Sequence, residues 1–342
     1  MYIATIDCGT TNSRVYIVDQ NKKIIGKGTK RVGVRDTSMT KSIDTLKNGL
    51  IEALHEALKE ANLKESQISF AISSGMITSE IGLLDIPHLQ TEAGIKELAA
   101  NLVKVEDKKI FPASFPIYFI PGIRNRFDKE DTFPTNVGEL DFMRGEETQM
   151  IGYLDLHQVS HPLIVVILSS HTKFIQIGGD GKIKGSLTSL SGQVFEAIKK
   201  ETFIGKSIDS IGNEIKPHSY FDSSVVENAF KWQQKSGFVR SLLMIRFLDV
   251  LLDTTWYERN LFFEGLIASE DLKAFKDFYS EVNYQNEIVF IGPKQRTDIY
   301  EYLFKEKLNW GSNSIKTIND TSLIDKLNIY GSIAIAKKAN LI

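Results

Sequence analysis

An acid, a glycine and two hydroxyls fall within six residues, Asp7-Cys8-Gly9-Thr10-Thr11-Asn12, in a tight turn between the apolar runs Tyr2 to Ile6 and Arg14 to Val18. That set suits a phosphate chain. Phosphate oxygens take hydrogen bonds from backbone N–H groups and hydroxyls, an acid can hold a hydrated Mg2+, and a glycine admits the backbone where a Cβ would stand in the way. On this reading Gly9, Thr10, Thr11 and Asn12 contact phosphate and Asp7 organises magnesium; an ordinary polar hairpin turn is the alternative. A related arrangement returns at "PLIVVILSSHTKFIQIGGDGK", where the hydroxyl-bearing turn 169 to 172 again separates two apolar runs.

The elements that must carry these turns can be read from periodicity. Tyr2 to Ile6, Arg14 to Val18 and Ile24 to Arg31 predict three strands, with a hairpin turn at Asn21-Lys22-Lys23. Asp44 to Ala61 predicts a helix with Leu46, Leu50, Leu54 and Leu58 on one stripe, and 68 to 73 a short apolar strand. The order is βββαβ. It recurs as strands at 163–168, 173–177 and 182–188 followed by the helical "GQVFEAIKKE". Helix-rich sequence then fills 224–281, "NEIVFIG" predicts a strand ending at Gly292, and helices are expected at about 295–305 and 322–339. The polar stretch Arg124 to Gly138 reads as a solvated loop or a substrate lid.

Composition narrows the partners. The 342 residues favour two domains over one, and 41 Lys+Arg against 43 Asp+Glu give no electrostatic reason to expect nucleic acid or an anionic membrane. A single cysteine, Cys8, excludes an internal disulfide and fits a cytoplasmic protein. No apolar run approaches the roughly 18–20 residues of a membrane span, and no signal peptide is expected. GxxxxGK[ST] and a strand followed by GxGxxG are both missing, so neither a P-loop nor a dinucleotide fingerprint is present. His157 and His161 have helical metal spacing, but Pro162 follows at once and no acid completes a set.

The two hairpins and the late strand ending in glycine resemble the actin/hexokinase/Hsp70 ATPase superfold. That resemblance implies an α/β chain of two ribonuclease H-like (βββαβα) domains with an interdomain cleft. The boundary is placed in "FPIYFIPGIRN", giving domains 1–119 and 120–342, with the final helix 322–339 either in the second or packed back on the first. Phosphate would be gripped at Asp7 to Asn12 and at Ser169 to Lys173, where Ser170, His171, Thr172 and Lys173 are the candidate contacts, and Gly292 would lie near adenosine. Within the superfold, "FMRGEETQMIGYL" (142–154), "SSGMITSEIGLLDIPHL" (73–89), "IPGIRN" (120–125), "SSHTKFI" (169–175) and "SLSGQVFEAI" (189–198) resemble the 2-dehydro-3-deoxygalactonokinase family. The likeness is strong over about 1–200 and loose after 205. It implies transfer of the ATP γ-phosphate to the 6-hydroxyl of 2-dehydro-3-deoxy-D-galactonate with Mg2+, in galactonate breakdown. The partners would be a small sugar acid and ATP, in a monomer or a homo-oligomer.

Such a reaction needs a cation for the substrate carboxylate and an acceptor for the hydroxyl proton. Arg144 is the candidate clamp, with an ion pair to Glu146 or Glu147 as its structural alternative. Glu146 and Glu147 would point about 100° apart on a helix, so at most one faces the reacting hydroxyl. Glu146 is the favoured base or magnesium ligand; both acids could instead decorate a helix N-terminus, and Asp141 is a third candidate. Three departures from the family pattern bear on nucleotide affinity and substrate. Leu168-Ser169-Ser170 replaces Pro-Gly-Thr, Ser191-Gly192-Gln193 replaces Thr-Gly-Glu, and Phe174 replaces Trp. They leave open a kinase of another sugar or sugar acid, and a catalytically weak sensor.

Overall fold

The first strand, β1 (Tyr2–Cys8), buries Ile3, Ala4, Ile6 and Cys8 because it is flanked on both sides. It pairs antiparallel with β2 (Ser13–Asp19), which pairs antiparallel with β3 (Ile24–Lys30). Two helices follow, α1 (Val34–Thr40) and α2 (Ile43–Ala61). Ser42 caps α2, accepting the Asp44 N–H at 3.2 Å, and the leucine stripe at 46, 50, 54 and 58 is buried as its spacing requires. β4 (Ile68–Gly75) then runs parallel to β1, with Asp7 opposite Arg14 on one side and Ser74 on the other.

The computed structural model describes all residues except 20, 129–133, 211–214 and 280–285. Residues 129–133 of the polar stretch 124–138 and residues 280 and 281 of the helix-rich stretch therefore lie outside the described residues.

Beyond β4 come β5 (Leu89–Gln90), α3 (Ile95–Ala100), β6 (Val103–Val105), β7 (Ile117–Phe119), β8 (Ile123–Arg124), β9 (Phe142–Met143) and α4 (Glu146–His157). The first sheet has the order β3-β2-β1-β4-β7-β6, and a small second sheet the order β5-β8-β9. Next are β10 (Leu163–Leu168), β11 (Thr172–Ile177), β12 (Ile183–Ser189), α5 (Ser191–Glu201), α6 (Gly205–Ile208), α7 (Ser223–Ser236), α8 (Phe238–Val250) and α9 (Trp256–Phe278). β13 (Glu287–Ile291), α10 (Lys294–Leu308), β14 (Ile315–Ile318) and α11 (Thr321–Lys338) complete the chain. The third sheet has the order β12-β11-β10-β13-β14, with β10, β13 and β14 parallel.

The chain divides into two compact units, one of Met1–Pro162, Ile177–Ser186 and Ser322–Ile342, the other of Leu163–Gln176 and Leu187–Thr321. This grouping differs from a division at 119/120. β8 and β9 pair within the small sheet that begins at β5, and α4 packs on α11, so 120–162 joins the first unit. The crossing of α4 and α11 is backbone to backbone: a Cβ on Gly152 would stand 1.8 Å from the Leu327 oxygen, and one on Gly331 1.8 Å from the Thr148 oxygen. The core of the second unit is aromatic. Phe275 lies 5.1 Å from Phe174, 4.9 Å from Phe304 and 6.0 Å from Trp310, centroid to centroid. Phe174, fully buried there, is a packing residue.

Candidate active site

In the first unit the turn between β1 and β2 is closed by the Gly9 N–H donating to the Asn12 oxygen at 2.9 Å. The carbonyls of Gly9 and Thr10 accept the N–H groups of Val34 and Arg35 at 3.3 and 2.9 Å, which leaves the Thr10 and Thr11 side chains exposed. The Asn12 amide donates to the Thr11 hydroxyl at 3.1 Å. Two glycines hold this turn by contacts a side chain would block. A Cβ on Gly33 would lie 2.5 Å from the oxygens of Gly9 and Thr10, and one on Gly75, at φ +95°, 2.4 Å from the Cys8 oxygen. A cradle built from backbone with hydroxyls on its open side is what a phosphate chain requires. Cys8 is buried, and burial pushes its thiol up to about 12, which makes it a packing residue and no nucleophile.

Asp7 stands at the end of β1 beside this cradle. Arg14 Nη1 lies 3.2 Å from its carboxylate. Burial raises the Asp7 carboxyl; Arg14 opposes the shift, and the charges of Asp325 and Glu146 add to it. The charges of three acids thus bear on one carboxylate, though among the described residues no group of three His, Cys, Asp or Glu side chains is close enough together to hold a metal ion by itself. Asp325, on α11, was not legible as a site residue: no motif marks it, and over 300 residues separate it from the hairpin it joins. It accepts the Tyr16 hydroxyl at 3.0 Å, with Lys27 Nζ at 3.5 Å and Arg14 Nε at 4.0 Å.

Gly145, at φ +109°, turns the chain from β9 into α4 and is the one residue type that adopts this conformation without strain. Glu147 folds back on that turn, its two oxygens accepting the Gly145 N–H at 2.9 and 2.7 Å and one of them the Thr148 hydroxyl at 3.0 Å. It is fully buried, whereas Glu146 is partly exposed and acts on Asp7. Of the two acids, Glu147 is the one that caps the helix. Burial, assisted by the Glu146 charge, pushes the Glu147 carboxyl from 4.5 up to about 8 against the pull of its hydrogen bonds. The folded state therefore binds this proton more tightly than the unfolded chain. The stability it confers is fully present below about pH 4.5 and is lost as pH rises through about 8. Urea unfolding from pH 5 to 8 should show stability falling with pH in wild type and a flatter profile in E147Q; equal slopes would contradict this.

Arg144 is held by the segment that follows β4. Nη1 donates to the Thr78 hydroxyl at 2.8 Å, and Nη2 to the Ile86 oxygen at 2.8 Å, with His88 Nδ1 at 3.4 Å and Asp85 at 3.9 Å. Its side chain is 5% exposed. The guanidinium braces the segment Thr78 to His88 instead of pairing with Glu146 or Glu147. Asp141 lies just before β9, its backbone oxygen accepting the Asn125 N–H at 2.8 Å and its side chain partly exposed.

The second unit holds the other turn. Ser169 and Ser170 are exposed, and the Ser169 N–H donates to the His171 oxygen at 2.9 Å. Ser170 Oγ lies 3.2 Å from His171 Nδ1, and Gln193 Nε2 3.2 Å from His171 Nε2. Thr172 and Lys173 are buried: the threonine hydroxyl meets Tyr300 and Arg296, and Lys173 Nζ donates to Thr188 at 2.5 Å. Ser169 and Ser170 are therefore the exposed hydroxyls of this turn, and both ring nitrogens of His171 are engaged by Ser170 and Gln193. Gly292 ends β13 against β10, where a Cβ would lie 2.8 Å from the Leu168 oxygen, directly before the turn.

Two units, each with a sheet in which an antiparallel hairpin leads into parallel strands, carry hydroxyl-bearing turns at both hairpins. The chain is an α/β protein, and its family match makes the class an ATP-dependent phosphotransferase. The family model of 2-keto-3-deoxy-galactonokinase matches residues 7–312, and the chain belongs to that family. In structure it is similar to a candidate 2-dehydro-3-deoxygalactonokinase from Sinorhizobium meliloti, with 18% identity and a TM-score of 0.72 over 98% of each chain. It is also similar to a reductive activator for a corrinoid, iron-sulfur protein, at 11% identity and a TM-score of 0.52 over 100% of this chain and 61% of that one. No curated protein matches it in sequence. Membership makes the protein a sugar-acid kinase that uses ATP. Among the described residues no helix is long and apolar enough to cross a membrane.

Proposed function

We propose that the protein phosphorylates the 6-hydroxyl of 2-dehydro-3-deoxy-D-galactonate from Mg-ATP, in the breakdown of galactonate in the cytoplasm. The observation that carries this reading is Asp7, set in the joint field of Glu146 and Asp325 beside a glycine-held hydroxyl turn. Bound magnesium neutralises charge on the transferring phosphoryl group. Asp7 would hold the ion, and Arg14 keeps the carboxylate oriented. On the first unit Thr10, Thr11 and Asn12 are the donors to phosphate oxygens, with Gly9 admitting the backbone; on the second unit, taken by itself, Ser170 and His171 are the candidate phosphate contacts and Gly292 the candidate adenosine neighbour. Glu146, the more exposed of the paired acids, accepts the proton of the attacking hydroxyl. Phosphorus–proton correlation spectra of the product test the regiochemistry: phosphate on C6 supports the reading, and phosphate on another carbon overturns it.

Arg144 acts in this scheme by fixing the Thr78–His88 segment, to which each Nη atom donates one hydrogen bond. Arg144→Ala should lower the melting temperature by several degrees, because buried donors and acceptors lose their partners. It should also impair acidic and neutral acceptors alike. A loss confined to acceptors bearing a carboxylate would return the clamp role to Arg144.

A further inference from the structure

Asp271, on α9, is 2% exposed and gathers three hydroxyls. Ser189 donates to Oδ1 at 2.5 Å, Ser191 lies 2.6 and 2.7 Å from the two oxygens, and Tyr300 donates to Oδ2. A hydroxyl has one proton, so each donation fixes what the same oxygen does next. With its proton given to Asp271, Tyr300 accepts, and Thr172 donates to it at 3.1 Å. Thr172 Oγ1 in turn accepts from Arg296 Nη2 at 3.2 Å, and Arg296 Nη1 donates to the Ser169 oxygen at 2.6 Å. The chain of donors runs from the Ser169 carbonyl to the buried carboxylate, and it consumes the Thr172 hydroxyl.

A second path leaves the same carboxylate. Ser191 opens α5; the next residue, Gly192, packs so closely that a Cβ would lie 2.3 Å from the Ser169 oxygen, and the Gln193 N–H donates to the Ser170 oxygen at 2.8 Å. Both paths end on carbonyls of the second turn. Holding those two oxygens inward fixes which way the rest of the turn faces.

We infer that Asp271 is a positioning residue for this turn, acting through Tyr300, Thr172 and Arg296 on one side and through Ser191 and α5 on the other. The inference rests on the reading of 169–173 as a nucleotide phosphate site. It also explains how the turn tolerates Leu168-Ser169-Ser170: its backbone is shaped from behind.

Y300F and S191A each cut one path while keeping side-chain shape close to the original, and D271N disturbs both. Mg-ATP binding, read calorimetrically without acceptor, should weaken about tenfold in each single-path variant and further in D271N, as expected for losing a buried hydrogen bond. KM for the sugar acid should stay within about twofold, since the acceptor does not report on this turn. A purely structural network would lower the melting temperature with ATP affinity unchanged in Y300F and S191A, and that result would overturn the inference. Should D271N fail to fold, the two single-path variants carry the test. Wild-type protein that binds no ATP would overturn the kinase reading, and this inference with it.

Discussion

Asp7→Asn is expected to lower magnesium-dependent turnover by about a hundredfold to a thousandfold, the loss typical of removing one preorganised electrostatic group from a transition state. Asparagine keeps the volume and an oxygen for Arg14, 3.2 Å away, but removes the charge proposed above to hold magnesium. Asp325 is poorly placed to substitute, since it already accepts from Tyr16 and faces Lys27. Stability should move the other way or not at all. Burial raises the Asp7 carboxyl, so its ionised form is held in the fold at a cost that the amide does not incur. Initial rates across a magnesium titration, with a melting curve for each protein, check both parts. Turnover within threefold of wild type would remove Asp7 from the mechanism.

The second large effect concerns positioning. Gly331→Ala places a methyl group 1.8 Å from the Thr148 oxygen, a contact no rotamer can relieve because both partners are main chain. α4 and α11 must then separate. The expected loss is on the order of 3 kcal/mol in unfolding free energy, with turnover falling more than stability alone explains. The reason is the cargo of the two helices: α4 begins with Glu146, and α11 carries Asp325, and both act on Asp7. Denaturant unfolding and kcat at a temperature where the variant is folded separate the two. An unchanged unfolding midpoint would mean that the helices do not bear on each other at this point.

Much of this architecture was legible from residue order. The leucine stripe of α2, the strands around Asp7-Cys8-Gly9-Thr10-Thr11-Asn12, and the repeat of the hairpin near Ser169 each rest on local periodicity, which a sequence displays directly. The two-residue strands β5, β8 and β9 escaped because two residues have no period. The pairing of Asp325 with Tyr16, and of Asp271 with Tyr300, escaped for a different reason. Each is made by a single side-chain pair separated in sequence, the acids stand in ordinary helical sequence, and nothing local distinguishes them from solvated ones. At Arg144-Gly145-Glu146-Glu147 the motif was visible, but the division of labour within it was not. Burial decides that Arg144 braces a loop and that Glu147 caps a helix, and burial depends on the whole fold.

ADP release measured with Mg-ATP and 2-dehydro-3-deoxygalactonate, beside its gluconate epimer and a control lacking acceptor, tests the central claim most directly. Turnover is expected to require the galactonate acceptor, to run faster with it than with the epimer, and to stop when magnesium is chelated. ADP release that is equal with and without acceptor, or that follows another sugar in preference to the galactonate derivative, would contradict it.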